Sequence, residues 1–291
     1  MLESTSGLPG EIVVRLPTFF NKKRGNRRTG LPVWGSLGEG IYHTVLLMAG
    51  LTIGVLMLAG VAVPEWRINN QFIESTKAMI SFNDSGFLYG DGLFETMRFD
   101  KQKIFSFQKH FKRLCYGLKI IDLKINYTKV EILDILENLI LKNNIQSGIL
   151  RLMVTRGKLN GKNYKPGLYV SIKPFYSIPS DPVKVIYLNE TNYPIIRFNP
   201  AIKSMNYLGN MLAKKDTKSQ GAFEPVFYNK DSIITECAIR NIFYIKDNVL
   251  HTPQLDLGIL GGVMRETIIE IAISLGIEVQ ERKINLSEIN S

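Results

Sequence analysis

The chain has 291 residues, 45% of them hydrophobic and 21% charged, which is enough apolar surface for one large core or two modest ones and excludes a largely disordered polymer. Its net charge of +10 comes from lysines scattered along the whole length, with one dense cluster at Lys22, Lys23, Arg24, Arg27 and Arg28. That spread argues against a nucleic-acid partner and for anionic small molecules. Two distant cysteines, Cys115 and Cys237, make no disulfide framework, and three histidines without ligand spacing make no metal site.

Residues 1–67 read differently from the rest. Val45–Val63 holds nineteen residues without a charge, which as a helix spans about 28 Å, roughly one hydrocarbon core. A buried soluble helix rarely stays apolar on every face for so long, so residues 45–63 are a candidate transmembrane helix and a candidate membrane contact. The basic cluster precedes this span and only Arg67 closely follows it, which by the positive-inside rule places the N-terminus in the cytoplasm. Composition changes abruptly near Pro64, Glu65 and Trp66, from Gly/Leu/Val-rich to Ile/Asn/Lys-rich.

From Ile68 onward the pattern is that of an α+β protein. Residues 68–82 read as two short strands around a turn, and residues 86–100 as a glycine-broken loop entering another strand. Phe107, Phe111, Leu114, Leu118 and Ile121 recur at steps of four and three, the apolar face of a helix over 106–121. Thr128, with Glu131 reaching back, predicts a capping box and a helix running to about Asn143. Strands follow at 149–156 and 168–173, and the proline-rich stretch 176–182 reads as a linker. Beyond it the spacing predicts a strand at 183–188, a helix over 206–220 ended by Gly221, and strand pairs across 229–231 and 247–248. A helix over 263–275 stopped by Gly276 and a strand at 277–283 complete the pattern. The divisions are therefore 1–67, 68–175, 176–182 and 183–291.

Three blocks carry chemistry. The first is GFLYGDGLFETMRF (86–99) with KHFKRL (109–114), the second IKSMNYLGNMLAKK (202–215), and the third ITECAIRNIFYIKDNVLHTPQLDLGILGGVMRETI (233–268). Taken singly they are bland: GDG is a tight turn, His110 and Arg113 suit a solvated helix face, and glycine pairs before helices are common. Together they resemble the class IV, fold-type IV enzymes that use pyridoxal 5'-phosphate (PLP), and the likeness runs from about Ile68 to Asn290.

The resemblance implies a small α+β domain, a larger domain whose sheet curls around the cofactor, a homodimer and a cytoplasmic enzyme portion. It makes Lys203 the lysine that carries PLP, with Lys214 and Lys215 as exposed charges. Arg113 becomes the guanidinium that grips the cofactor phosphate by its fork of donors, helped by the backbone at Val263 and Met264 where a helix begins. Tyr207 matches the tyrosine facing the ring phenolate, although its gap from the lysine is one residue shorter than usual. Glu236, with Asn241 in an E-x-x-x-x-N-I-F pattern, matches the acid facing the pyridine nitrogen. Phe94, Thr96 and Arg98 match the substrate side.

Thr96, Cys237, Ile239 and Met264 depart from the branched-chain transaminase pattern and look like the lyase branch. The expected activity is therefore 4-amino-4-deoxychorismate lyase, releasing pyruvate to form p-aminobenzoate. A branched-chain or D-amino-acid transaminase acting on amino and keto acids is the alternative, and an inactive membrane-anchored binding module a second one. Against the family pattern the chain stops before a last phosphate-binding threonine, so the cofactor domain is expected to be incomplete at its C-terminus, and residues 1–67 to be unrelated to catalysis.

Overall fold

The structure is a computed structural model that describes residues 12–14, 63–160, 163–175 and 179–289. Apart from Val63, the apolar stretch 45–63 lies outside the described residues, and so does the basic cluster. Among the described residues no helix is long and apolar enough to cross a membrane.

The first layer is a six-stranded sheet in the order β3-β2-β7-β6-β4-β5, built from β2 (Glu65–Ile68), β3 (Gln71–Glu74), β4 (Gly92–Asp100), β5 (Lys103–Ile104), β6 (Ser147–Asn160) and β7 (Asn163–Pro174). Every pairing in it is antiparallel. The first hairpin starts at Glu65, so residues 65–67, assigned above to the preceding segment, belong to this sheet. Side chains fix that start: Asn143 accepts from the Glu65 N–H (2.8 Å) and donates to its carbonyl (3.0 Å). Residues 85–89 form a short helix, α1 (Ser85–Tyr89), in place of the expected loop. Asp84 caps it by accepting from the Gly86 and Phe87 N–H groups, and also takes the hydroxyls of Thr155 and Tyr169.

Two helices cover one face of the sheet, α2 (Phe107–Ile120) and α3 (Lys129–Asn143). Period-2 alternation in β4 aims Leu93, Met97 and Phe99 at them, joined by Leu150, Leu152 and Val154 of β6 and Leu168, Val170 and Ile172 of β7. From α3 come Ile132, Ile135, Leu136, Leu139 and Ile140, an unbroken i, i+3, i+4 stripe. Both halves of its capping box are formed: Glu131 N–H donates to Thr128 Oγ1 (3.2 Å) and Thr128 N–H to Glu131 Oε2 (2.7 Å).

The second half was expected as one curled sheet and is divided into two short ones. One has the order β1-β8-β9-β10 (β1 Ile12–Val14, β8 Val183–Asn189, β9 Glu224–Tyr228, β10 Ile234–Cys237) and the other β11-β12-β13 (Tyr244–Lys246, Val249–Pro253, Val279–Arg282). They are linked where the Ile234 N–H donates to the Ile284 carbonyl (2.8 Å). Because β1 pairs antiparallel with β8, three residues of the N-terminal segment join this sheet.

Parallel neighbours need a crossover, and both crossovers matter. The one from β8 to β9 carries Lys203 and α4 (Leu208–Ser219), and the one from β12 to β13 carries the 258–262 loop and α5 (Val263–Ser274). A last short helix, α6, covers Leu286–Ile289.

Removing the α3 cap tests this account of the helix. Thr128→Ala is expected to lower stability by about 1 kcal/mol, read as a shifted urea midpoint at unchanged slope. An unmoved midpoint would show that tertiary packing alone holds the first turn.

Candidate active site

Lys203 is fixed by main-chain pairing rather than by a helix. The segment ahead of α4 runs along the start of β4: the Phe94 N–H donates to the Lys203 carbonyl (3.0 Å), the Met205 N–H to the Gly92 carbonyl (3.0 Å), and Leu93 bridges Ser204. A side chain at Gly90 would strike Asn206, and its φ of +67° already favours glycine, so the GDG turn has both a conformational and a packing reason. Held in this way, the Lys203 amine donates to Tyr207 Oη (3.2 Å) and lies 4.3 Å from the Phe94 ring centroid. Burial, then the Arg113 charge, lowers its pKa to about 8. Tyr207 packs edge-on against Phe94 at 5.1 Å, and burial followed by the Glu236 charge pushes its phenol up to about 12. The short lysine-to-tyrosine gap therefore still brings the two groups together.

Arg113 lies on α2 facing the loop before α5, but its fork is already engaged. Nε and Nη2 donate to the two oxygens of Glu95 (2.8 and 2.6 Å), while Nη1 reaches the Gly261 carbonyl (3.0 Å). Any phosphate contact from this side chain has to use Nη hydrogens outside that fork. Glu95, 1% exposed, also takes His110 Nδ1 at 2.7 Å. Burial alone would raise its carboxyl, yet the hydrogen bonds to Arg113 and His110 outweigh burial and hold it below the usual range. Both α2 residues are thus half-buried partners of one acid and not a solvated face. At the other side of the loop, α5 begins at Gly262 with no side chain capping it, so its first-turn N–H groups need an acceptor from elsewhere. Val263 is buried and Met264 exposed at that start.

Glu236 is the next-to-last residue of β10, in a largely buried setting. Arg197 Nη1 pairs with its Oε1, and the Leu260 N–H donates to its Oε2 (3.3 Å). Burial, which the Arg197 charge only partly offsets, raises its pKa. Arg197 is shared with Glu190 (2.6 Å) and Thr235 (3.1 Å). Glu236, Tyr207, Arg197, Asn210 and Leu260 border one depression of about 400 Å³ that opens to solvent.

The other face of β4 carries Phe94, Thr96 and Arg98, of which Phe94 is buried and the other two exposed. Arg98 stacks on Phe175 (4.1 Å). Opposite Thr96 in β6 stands Arg151, an exposed residue whose guanidinium lies 4.4 Å from the Phe94 ring. Among the described residues Arg151 has no ion-pair partner, and burial lowers its pKa. Two cations thus flank Phe94, an arrangement that attracts anions.

Lys214 is not an exposed charge: it donates to Glu224 (2.9 Å), a buried acid that also binds Arg240 (2.6 Å). Lys215 is exposed. The sequence reading missed Glu95, Arg151 and Arg197. For Glu95 a signal existed, since alternation puts it in register with the apolar row Leu93, Met97 and Phe99. Arg151 sits likewise inside the apolar run ILRLMV. Arg197 lies in a loop without periodicity and left no trace.

Together these groups suit PLP: an amine of lowered pKa for its aldehyde, a phenol for its ring oxygen, a buried acid for its pyridine nitrogen, and an uncapped helix start beside an arginine for its phosphate. The family model for class IV aminotransferases matches residues 92–291. A D-alanine aminotransferase of Listeria monocytogenes is 34% identical over 232 residues, 76% of this chain and 79% of that protein. An aminodeoxychorismate lyase of Bacillus subtilis is 34% identical over 232 residues, 75% of this chain and 77% of that protein. In fold, a branched-chain amino acid aminotransferase of Escherichia coli superposes with a TM-score of 0.70 at 22% identity, covering 78% of this chain and 79% of that one. The chain therefore belongs to the class IV aminotransferase family and is a PLP-dependent enzyme.

Proposed function

We propose that Lys203 carries PLP and that the enzyme is a 4-amino-4-deoxychorismate lyase, releasing pyruvate and leaving p-aminobenzoate. In this reading Tyr207 meets the ring oxygen, Glu236 the pyridine nitrogen, and Arg113 with the Val263 and Met264 backbone the phosphate. When bound, the cofactor supplies an electron sink for the carbon that bears the substrate's amino group. The chain's own residues do the rest. Lys203, nearly half neutral at pH 8 by its lowered pKa, takes the proton from that carbon and returns one to the departing enol. Thr96 sets its hydroxyl on the Phe94 face, where it hydrogen-bonds the leaving oxygen, and Phe94 excludes water beside the amine.

The observation that carries the lyase reading is the row Phe94, Thr96 and Arg98 on one face of β4, with Arg151, which has no ion-pair partner among the described residues, opposite Thr96. It offers a hydroxyl between two guanidinium groups, which suits a substrate with two carboxylates. A transaminase reading is favoured by the likeness to the D-alanine aminotransferase, and Arg151 would serve there as the site for a keto-acid carboxylate. Self-association into a homodimer is part of either reading and is supported by the exposed Phe82, Phe87 and Tyr89 around α1.

Three outcomes are expected. Borohydride reduction and peptide mapping should place the pyridoxyl label on Lys203, with Lys203→Ala unlabelled and Lys215→Ala, an exposed control, labelled as wild type; a label elsewhere sinks the assignment. Without cofactor, the amine's pKa of about 8 against its ordinary 10.5 means that the folded state sheds its proton first. Lys203 then costs stability below about pH 8, and this cost fades as pH rises to 10.5. The stability of wild type relative to Lys203→Met should therefore rise across that window, and a flat difference would refute the desolvated amine. Thr96→Ala should slow pyruvate release from aminodeoxychorismate by about 10²–10⁴-fold while leaving the label on Lys203. Unchanged release, or amino transfer to 2-oxo acids without pyruvate release, would favour the transaminase.

A further inference from the structure

The 258–262 loop is held by three side chains from two parts of the fold. The Leu260 N–H donates to Glu236 (3.3 Å), its carbonyl accepts from Asn241 Nδ2 (2.8 Å), and the next carbonyl, of Gly261, accepts from Arg113 (3.0 Å). Asn241 touches the loop a second time. A Cβ built on Gly262 would lie 2.0 Å from Asn241 Oδ1, so the amide occupies the space that any other residue there would need. One side chain therefore fixes both Leu260, which binds the acid, and Gly262, where α5 begins.

The mount beneath Asn241 is rigid. Glu236 and Asn241 flank a tight turn closed by the Cys237 N–H on the Arg240 carbonyl (2.9 Å). Asn210 donates to the Ala238 carbonyl (2.8 Å), and buried Glu224 accepts from the Ile239 N–H (3.1 Å) and from Arg240 (2.6 Å). The turn thus presents a carboxylate and an amide at a fixed spacing, and both reach the same loop.

Resting on the PLP reading above, we propose that Asn241 is a positioning residue that sets the span between the two ends of the cofactor site. It holds the helix start that takes the phosphate at a fixed place relative to the acid that takes the pyridine nitrogen. The chemistry requires asparagine. The amide must donate to the Leu260 carbonyl, which neither aspartate nor leucine can do, and its flat Oδ1 face lies against a bare Cα, which accounts for glycine at 262.

A double-mutant cycle on the full chain tests this, read by PLP affinity at a temperature where circular dichroism shows every variant folded. Asn241→Asp, equal in size but with an acceptor facing the carbonyl, should weaken PLP binding about tenfold or more. Gly262→Ala, which pushes the amide away from the other side, should lose a similar factor. Asn241→Ala, which alone should also lose about tenfold, combined with Gly262→Ala should be no weaker than the poorer of these two single variants, because both act through one contact. The visible absorption of PLP bound to Asn241→Asp should titrate at a pH displaced by about half a unit or more, since Leu260 no longer holds Glu236 in place. PLP affinity within twofold of wild type for both single variants would overturn the proposal. So would losses that multiply in the double variant, or an unmoved titration. Wild type mapped in parallel keeps the foundation separate: a label away from Lys203 refutes the cofactor reading, whatever the Asn241 variants do.

Discussion

Two main-chain hydrogen bonds hold the candidate site together, from Phe94 to Lys203 and from Met205 to Gly92. They join a crossover of the second half of the fold to the edge of the first-half sheet. Without them Lys203 would sit on the connection 190–207 between β8 and α4 with nothing to fix its amine, and neither the Phe94 ring nor the Arg113 charge would act on it. Backbone pairing suits this task because it fixes the lysine's position without using its side chain. The chain can therefore place a reactive amine in a partly desolvated site and still leave its nitrogen available.

Charge is distributed around that point in a consistent way. Three acids held in the fold have a guanidinium partner: Glu95 has Arg113, Glu236 has Arg197, and Glu224 has Arg240. Such pairs are costly to bury and do little for net stability, but breaking one leaves an uncompensated charge, so each fixes its neighbours in place. Lys203 and Arg151 stand apart, flanking Phe94 with no carboxylate in an ion pair with either among the described residues. Cations left in this state make a site for anions, and this agrees with a phosphate-bearing cofactor and with carboxylate substrates. The overall positive charge of the sequence is thus less informative than the location of Lys203 and Arg151.

The loop before α5 plays the complementary part. Its backbone groups bind Glu236 and Asn241, which flank one turn, and Arg113, which lies more than a hundred residues earlier on α2. Small residues at 261 and 262 let the main chain approach those side chains closely, and the helix that follows begins without a side-chain cap. A loop tied in this manner transmits the position of the acid to the position of the helix start, so the two ends of the site are set as a unit.

The sequence by itself determined the elements whose signals are local. The apolar steps of α2, the capping box of α3, the Gly276 stop after α5 and the lysine ahead of an Asn-Tyr-Leu helix start could all be read along the chain, because helix period, caps and left-handed glycines depend on near neighbours. Likeness across three blocks then named the family and the site residues. Tertiary structure alone decided the partners. That Arg113 spends its fork on Glu95, that Lys214 binds buried Glu224, that Arg197 backs Glu236 and that residues 65–67 open the first hairpin are contacts beyond the reach of near-neighbour patterns. No periodicity encodes such contacts: the same arginine or lysine reads as a solvated charge until the fold brings a buried carboxylate within hydrogen-bond distance.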